Sequence, residues 1–285
     1  MKNLIQALTR QKQPLICSEI LKDLGCSLEH LICMASPQTQ VFVQGDELWI
    51  CPRNQVDSAL LSWLCSEEIL WFDEVNSTNS VAAQLCSQRD FSGVVVAGHQ
   101  TSGRGRLQRT WHSTAHQNIL MSMVFKPANL APTQAARTTL LWSAALADEL
   151  DLRVKWPNDI LDNQGRKVAG LLAELALEGN RVQHIVLGIG LNVNQDQFPQ
   201  DIPNPSSLKL VFNREFERAD LIRRIVQRLR AVDLHASLDL WRSKSIMTGK
   251  RVVVQGKVGV LERIREDGAL IVDGEVILAG DVALL

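Results

Sequence analysis

Apolar positions recur at helical spacing twice near the start of the chain. Ile16, Ile20, Leu21 and Leu24 fall on one side of a helix, and Gly25 breaks the pattern. Ser27 is then placed to cap a second helix carrying Leu28, Leu31 and Ile32. The period changes to that of strands at Val41, Val43, Leu48 and Ile50, which flank Gly45-Asp46, a dipeptide suited to a tight hairpin turn. Residues 1–66 therefore read as three helices followed by a wing, a helix-turn-helix outline. From 67 to 247 the pattern is mixed. Runs at 94–96, 119–125, 171–177 and 182–191 predict strands of a sheet with a buried face, and 133–150 and 218 to about 241 predict helices. Residues 248–285 return to short valine-rich strands, punctuated by Gly256, Gly259, Asp267-Gly268 and Asp273-Gly274, and read as a small barrel or SH3-like module. The chain is thus an α+β protein in three parts.

Composition narrows the field without selecting a function. With 285 residues, 46% of them hydrophobic, the chain can bury an ordinary core, which excludes a disordered or fibrous protein. Lys+Arg 30 against Asp+Glu 31 leaves a net charge of -1, so no overall field draws it to nucleic acid or an anionic membrane. Apolar runs such as 140–146 and 185–193 are far shorter than the roughly 18–20 residues that cross a bilayer, so no membrane partner is expected. Thr9, Arg10, Gln11, Lys12 and Gln13 interrupt any signal-like segment. The six cysteines (Cys17, Cys26, Cys33, Cys51, Cys65 and Cys86) show no metal-binding spacing, and free thiols in a reducing cytoplasm are expected.

A DNA reader needs cations where the phosphates lie. Residues 1–60 hold five basic side chains against six acidic ones, and the second helix of the outline, 27–34, carries no Arg, Lys, Asn or Gln to read a base edge. On residues alone this part reads as a structural or interaction module. Arg223, Arg224, Arg228 and Arg230 are interleaved with acids nearby and read as a solvated face.

The chemistry concentrates in a few segments. Gly103-Arg104-Gly105-Arg106, with Arg109 and Trp111, lacks both the third glycine of a dinucleotide fingerprint and the Gly-Lys-Ser/Thr of a phosphate loop. It offers three guanidinium groups and no acid on a glycine-bearing loop, which suits a flap closing over an oligoanion. Lys155-Trp156-Pro157-Asn158-Asp159 crowds a cation, an amide and a carboxylate around a proline. Lys167-Val168-Ala169-Gly170 brings a lysine into a strand through small residues, and Ser77-Thr78-Asn79 is a polar triplet able to cap a helix or bind an amide-like group. Each segment alone is more often structural than functional, and no Ser-His-Asp or Cys-His grouping accompanies them.

Together and in this order, with Gln100 and Gly188-Ile189-Gly190-Leu191-Asn192-Val193, these motifs resemble those of the biotin protein ligases, specifically the long bacterial type that doubles as biotin operon repressor. The resemblance runs through nearly the whole chain. It implies a winged helix-turn-helix domain over 1–66, a central mixed-sheet ligase domain of class II aminoacyl-tRNA synthetase-like fold over 67–247, and an SH3-like domain over 248–285. It implies that biotin and ATP, with Mg2+, form biotinyl-5′-AMP, and that a lysine of the biotin carboxyl carrier protein of acetyl-CoA carboxylase then takes the biotin. Operator DNA as a second partner and a homodimer formed on adenylate binding follow from the same resemblance.

Carried over by residue, Ser77, Thr78, Asn79, Gln100, Arg104, Gly105, Arg106 and Lys167 would bind biotin. Arg104, Arg106, Arg109, Trp111, Lys155, Asn158 and Asn192 would bind ATP, with Trp111 as the adenine platform. Lys167, Arg106, Lys155 and Asp159 would carry catalysis, and Asp159 would lie near the phosphates and metal or help deprotonate the incoming lysine. The family loop carries a further glycine where this chain has Gln108, a departure expected to stiffen the flap. Two other functions use related features: a DNA-binding biotin sensor without ligase activity, and a lipoate or octanoate transferase. Retained Lys167 and Arg106 disfavour the first, and the flap together with Lys-Trp-Pro-Asn-Asp disfavours the second.

Overall fold

The computed structural model describes residues 12–285 apart from 25, 35–38, 53 and 129. The first of the three expected N-terminal helices lies outside the described residues. A short strand β1 (Leu15–Ile16) leads into α1 (Cys17–Leu24) and α2 (Leu28–Met34), then β2 (Thr39–Gln44) and β3 (Glu47–Pro52). β2 and β3 form the expected hairpin, turning at Gly45-Asp46 with Gly45 at φ +62°, a backbone that glycine adopts without steric cost. β1 pairs with the other side of β3, giving the order β1-β3-β2. Ile16 departs from the expected helical stripe. It belongs to β1 and is exposed, because Asp46 holds the start of α1 one residue later, accepting from Ser18 N at 3.1 Å and Ser18 Oγ at 2.9 Å. Cys17 fills the small core instead, with Leu31, Leu48 and Ile50.

Helix α3 (Ser58–Cys65) starts at Asp57, whose carboxylate accepts from Leu60 N at 2.9 Å, and it packs Leu60, Leu61 and Leu64 into the main core. There follow β4 (Ile69–Val75), α4 (Thr78–Gln88), β5 (Val94–Gln100), β6 (Ile119–Phe125), α5 (Ala135–Glu149), β7 (Arg153–Lys155), β8 (Asp159–Leu161), β9 (Lys167–Glu178) and β10 (Arg181–Leu191). These strands form one mixed sheet in the order β4-β5-β6-β10-β9-β8-β7, parallel between β4 and β5 and antiparallel elsewhere. Because side chains alternate across a strand, Val94, Val96, Met121 and Met123 join the core on the α5 face, whereas Val95, Val124 and Val186 pack against Ala82 of α4 on the other.

α6 (Leu208–Phe212), α7 (Arg218–Arg230) and α8 (Asp239–Lys244) complete the central part. The helix expected from 218 to about 241 stops at Arg230. Beyond it, the carbonyls of Leu234 and Ala236 accept from the Arg137 guanidinium, not from a following helical turn. The helix expected over 133–150 begins at Ala135, after a tight turn at Pro132–Gln134. The arginine row of α7 is not simply solvated: Arg224 pairs with Glu149, Arg228 with Asp148, Arg230 with Glu67 and Arg223 with Asp220.

The chain ends in a five-stranded antiparallel sheet, β11 (Arg251–Val254), β12 (Lys257–Ile264), β13 (Leu270–Val272), β14 (Glu275–Ile277) and β15 (Val282–Leu284), in the order β14-β13-β12-β11-β15. Its turns at Gln255-Gly256 and Asp273-Gly274 have positive φ at both residues, matching the right-handed twist of the strands they join. This sheet is fastened to the central part by Trp156, which is 3% exposed and donates its Nε1–H to Gly268 O at 3.0 Å. Five described cysteines are free, and burial pushes the Cys51 and Cys65 thiols up to about 12. Among the described residues no helix is long and apolar enough to cross a membrane.

Trp156→Phe keeps an aromatic ring but leaves the Gly268 carbonyl without its donor. We expect a loss of about 1–3 kcal/mol in urea unfolding; an unchanged midpoint would show that this hydrogen bond does not fasten the C-terminal sheet.

Candidate active site

The α4 face of the central sheet loses its side chains in steps. Cross-strand rows run Glu174, Val186, Val124; then Leu172, Gly188, Ser122; then Gly170, Gly190, Leu120. Valines carry the body of α4, and the glycines beyond them leave bare backbone. Two groups use that space. Asn79, in the first turn of α4, lies against Gly188, where a Cβ would come within 2.3 Å of Asn79 Oδ1. The Trp111 indole lies against Gly190, where a Cβ would meet Cε2 at 2.4 Å. Leu187, Ile189 and Leu191 alternate with these glycines and are buried in the core, so one strand holds both the pocket floor and the hydrophobic centre.

A cavity of about 750 Å³ opens over this floor, and every residue expected at the site lines it: Ser77, Thr78, Asn79, Gln100, Arg104, Gly105, Arg106, Arg109, Trp111, Lys155, Asn158, Asp159, Lys167 and Asn192. One end is polar and closely bonded. Gln100 Oε1 accepts from Thr78 N at 2.7 Å and from Thr78 Oγ1 at 3.1 Å, while the Ser122 hydroxyl lies 2.7 Å from Thr78 Oγ1 and donates to Asn79 Oδ1 at 2.6 Å. Ser77, Thr78 and Asn79 are all buried. Ser77 occupies the N-cap position of α4 but makes no side-chain cap bond, leaving its hydroxyl free of that duty.

The other end is cationic. Lys167, at the entrance to β9, holds its Nζ 2.7 Å from Asp159 Oδ1, and Lys155 Nζ lies 3.9 Å from Asp159 Oδ2. Lys167 Nζ also stands 5.6 Å from the centroid of the Trp111 ring. Asn158 Nδ2 donates to Leu171 O at 2.6 Å, fixing β8 against β9, so this amide is occupied by the sheet. Asn192 donates to Ser206 O at 2.9 Å, but its Oδ1 is buried without a hydrogen-bond partner, as is the Trp111 Nε1–H. Trp156, in the same motif as Lys155, turns its ring to the C-terminal sheet.

The flap is a small hairpin: Gly105 N donates to Arg109 O at 2.7 Å and Trp111 N to Gly103 O at 2.9 Å. Leu107 and Gln108 both have left-handed backbones, at φ +52° and +60°. A glycine would take the Gln108 conformation freely, whereas for glutamine it costs about 1–2 kcal/mol, the physical form of the departure noted in the sequence. None of the three arginines is free. Arg104 pairs with Glu174 at 3.1 Å, Arg106 with Asp281 at 3.5 Å, and Arg109 with Asp281 at 2.5 Å. Ser122, Glu174 and Asp281 are the participants that the sequence reading missed. Ser122 is a polar residue within an apolar strand, buried beneath Thr78 and Asn79, the one signal available, and nothing in the sequence points from Asp281 to the flap.

Similarity to known proteins agrees with this geometry. Residues 71–192 match the profile of the Biotin/lipoate A/B protein ligase family. The chain is 33% identical over 261 residues to the biotin--[acetyl-CoA-carboxylase] ligase of Mycobacterium tuberculosis, covering 82% of this chain and 94% of that protein. The chain therefore belongs to the biotin/lipoate protein ligase family. A second relative, the bifunctional ligase/repressor BirA of Bacillus spizizenii, is 33% identical over 184 residues. That match covers 61% of this chain and 56% of BirA, so the chain aligns with about half the length of that relative. The structure of the biotin protein ligase from Aquifex aeolicus in complex with biotin and ATP superposes with a TM-score of 0.60 at 25% identity, covering 76% of this chain and 98% of that one.

Gly190→Ala places a methyl group where the indole of Trp111 lies. We expect it to destabilise the protein by about 1–3 kcal/mol, and to cost nothing further in a Trp111→Ala background, where the clash is gone. Additive losses in denaturant titrations of the four proteins would show that the indole does not rest on that glycine.

Proposed function

We propose that this protein is an ATP-dependent biotin protein ligase. The observation that carries the reading is the joining of two unlike ends in one cavity: a buried amide and hydroxyl network fit for a neutral polar ring system, and a cationic end with Lys155 and Lys167. In the first step the biotin carboxylate oxygen attacks the α-phosphorus of ATP, the bond to pyrophosphate breaks, and biotinyl-5′-AMP remains. In the second, the side-chain amine of an acceptor lysine attacks the carbonyl carbon and AMP departs.

The obstacle in the first step is repulsion between two anions, which cations held beside the reacting groups reduce. Lys167 would neutralise the attacking carboxylate and the phosphate as charge develops, with Asp159 holding its ammonium in place. Lys155 and the flap arginines would meet the phosphates. Trp111 would offer its indole as the adenine platform, with Asn192 lining the same cavity. Asp159 already faces two lysines, so Mg2+ would be held chiefly by the phosphates of ATP. The biotin carboxyl carrier protein of acetyl-CoA carboxylase is the proposed acceptor. Three modules are proposed: a winged helix-turn-helix over 1–66, the ligase domain over 67–247 and an SH3-like module over 248–285.

Lys167→Ala is expected to lower biotin-dependent pyrophosphate exchange by on the order of 100-fold or more while leaving cooperative unfolding intact, since Lys167 is part-exposed at a strand entrance. Undiminished exchange in the folded variant would overturn the assignment.

A second reading, in which the chain also represses transcription, is favoured by the order helix, helix, hairpin between Cys17 and Pro52. Against it stands the absence of basic and amide side chains in 27–34. Binding to DNA from upstream of its own operon, measured across a salt series, separates the two. A repressor tightens with biotin and ATP and weakens steeply with salt. A ligase alone forms adenylate and leaves the DNA unbound.

A further inference from the structure

Glu174 lies just behind the pocket and touches two of its walls. It sits on the pocket face of β9, one row beyond Leu172 and Gly188 and beside Val186. Its Oε2 accepts from Asn79 Nδ2 at 2.7 Å, and its two oxygens face Arg104 Nη1 and Nη2, each at 3.1 Å. Arg104 Nη2 also reaches Ser80 Oγ at 3.3 Å. Glu174 itself is not among the residues lining the cavity, whereas Asn79 and Arg104 both are.

We infer that Glu174 is a positioning residue for the neutral-ring end of the pocket, an inference that rests on the ligase reading. The argument is electrostatic and geometric. A carboxylate beside the end of a cavity that takes a neutral ring is tolerated there when its charge is neutralised locally. Here a two-pronged pairing with Arg104 neutralises it, and that same pairing ties the first limb of the flap to the sheet. Oε2 also orients the Asn79 amide: with Nδ2 donating to Glu174 at 2.7 Å, and more distantly to Leu172 O at 3.4 Å, Oδ1 is turned to accept from Ser122. One side chain thus sets the amide orientation on the floor and the position of the flap above it. The Lys167 ammonium lies over Gly170, four residues and roughly 13 Å along β9 from Glu174, so the effect of Glu174 falls first on occupancy of the ring end, where its own contacts are.

The test uses the full-length protein and Glu174→Gln, which keeps the shape and removes the charge. Pyrophosphate exchange is expected to show a biotin KM raised about tenfold with kcat unchanged, since one charge-assisted pairing is lost. A merely structural defect would lower the amount of active protein without moving KM. In an Arg104→Ala background, Glu174→Gln is expected to add no further change to KM. Trypsin cleavage of the ligand-free protein at Arg104, Arg106 and Arg109, read by mass spectrometry, is expected to be faster in Glu174→Gln than in wild type. An unchanged biotin KM, effects that multiply in the double variant, or an unchanged cleavage rate would each overturn the inference. If the wild-type protein itself shows no biotin-dependent exchange, the ligase reading falls, and the cleavage comparison decides the anchoring of the flap by itself.

Discussion

A strip of missing side chains is the constraint on which the rest of the site depends. On one face of the central sheet the rows pass from valine to glycine and serine over a few residues, and there α4 and the flap come against bare backbone. Asn79 and Trp111 occupy positions that a single β-carbon would deny them. The opposite faces of the same strands are among the most buried apolar positions of the protein, so the floor is held rigid by the core beneath it. Rigidity of the floor is what allows a few hydrogen bonds to define a pocket: a loose sheet would let Ser122, Thr78 and Gln100 find partners elsewhere.

Charge is balanced around the cavity in the same local way. Arg104, Arg106, Arg109, Lys155 and Lys167 line it, and Glu174, Asp281 and Asp159 each hold one or two of them. Without such counter-charges, five cations around one cavity would repel each other and splay the flap. Most of these pairs are partly exposed, so each contributes little to stability by itself. Their role is placement: a guanidinium already held beside the pocket loses less freedom when an anionic ligand takes over from the carboxylate.

The sequence was informative where chemistry is local. The flap, the Lys-Trp-Pro-Asn-Asp segment, the lysine entering β9 and the polar triplet that opens α4 were all legible, because glycine, proline and clustered charge restrict what a short segment can do. The paired strands and the Gly45-Asp46 turn were legible for the same reason. What escaped was long-range. Asp281 is separated from Arg106 by most of the chain, and only tertiary packing brings them together. Glu174 stands in an alternating strand pattern where an acid reads as solvent-facing. The break after Arg230 depends on Arg137, a residue nearly a hundred positions earlier, which takes the carbonyls of Leu234 and Ala236. Trp156 stands inside a motif of charged and amide side chains, yet its ring serves the contact with the C-terminal sheet.

A small C-terminal sheet accompanies the larger central one, and it does more than pack beside it. Two separate contacts connect it to the cavity. Trp156 carries its Nε1–H to Gly268 from the middle of the motif that presents Lys155 and Asp159, so docking of the sheet fixes the backbone on which those two side chains stand. Asp281 reaches the flap from the other side, and Gln255, Val282 and Ala283 join it in lining the cavity. The sheet is therefore one wall of the site and the anchor of two of its three flap arginines. Detaching it would remove a wall, release the flap at one end and loosen the segment carrying Lys155, three losses at one place. In this protein the C-terminal sheet cannot be separated from the pocket without unmaking it.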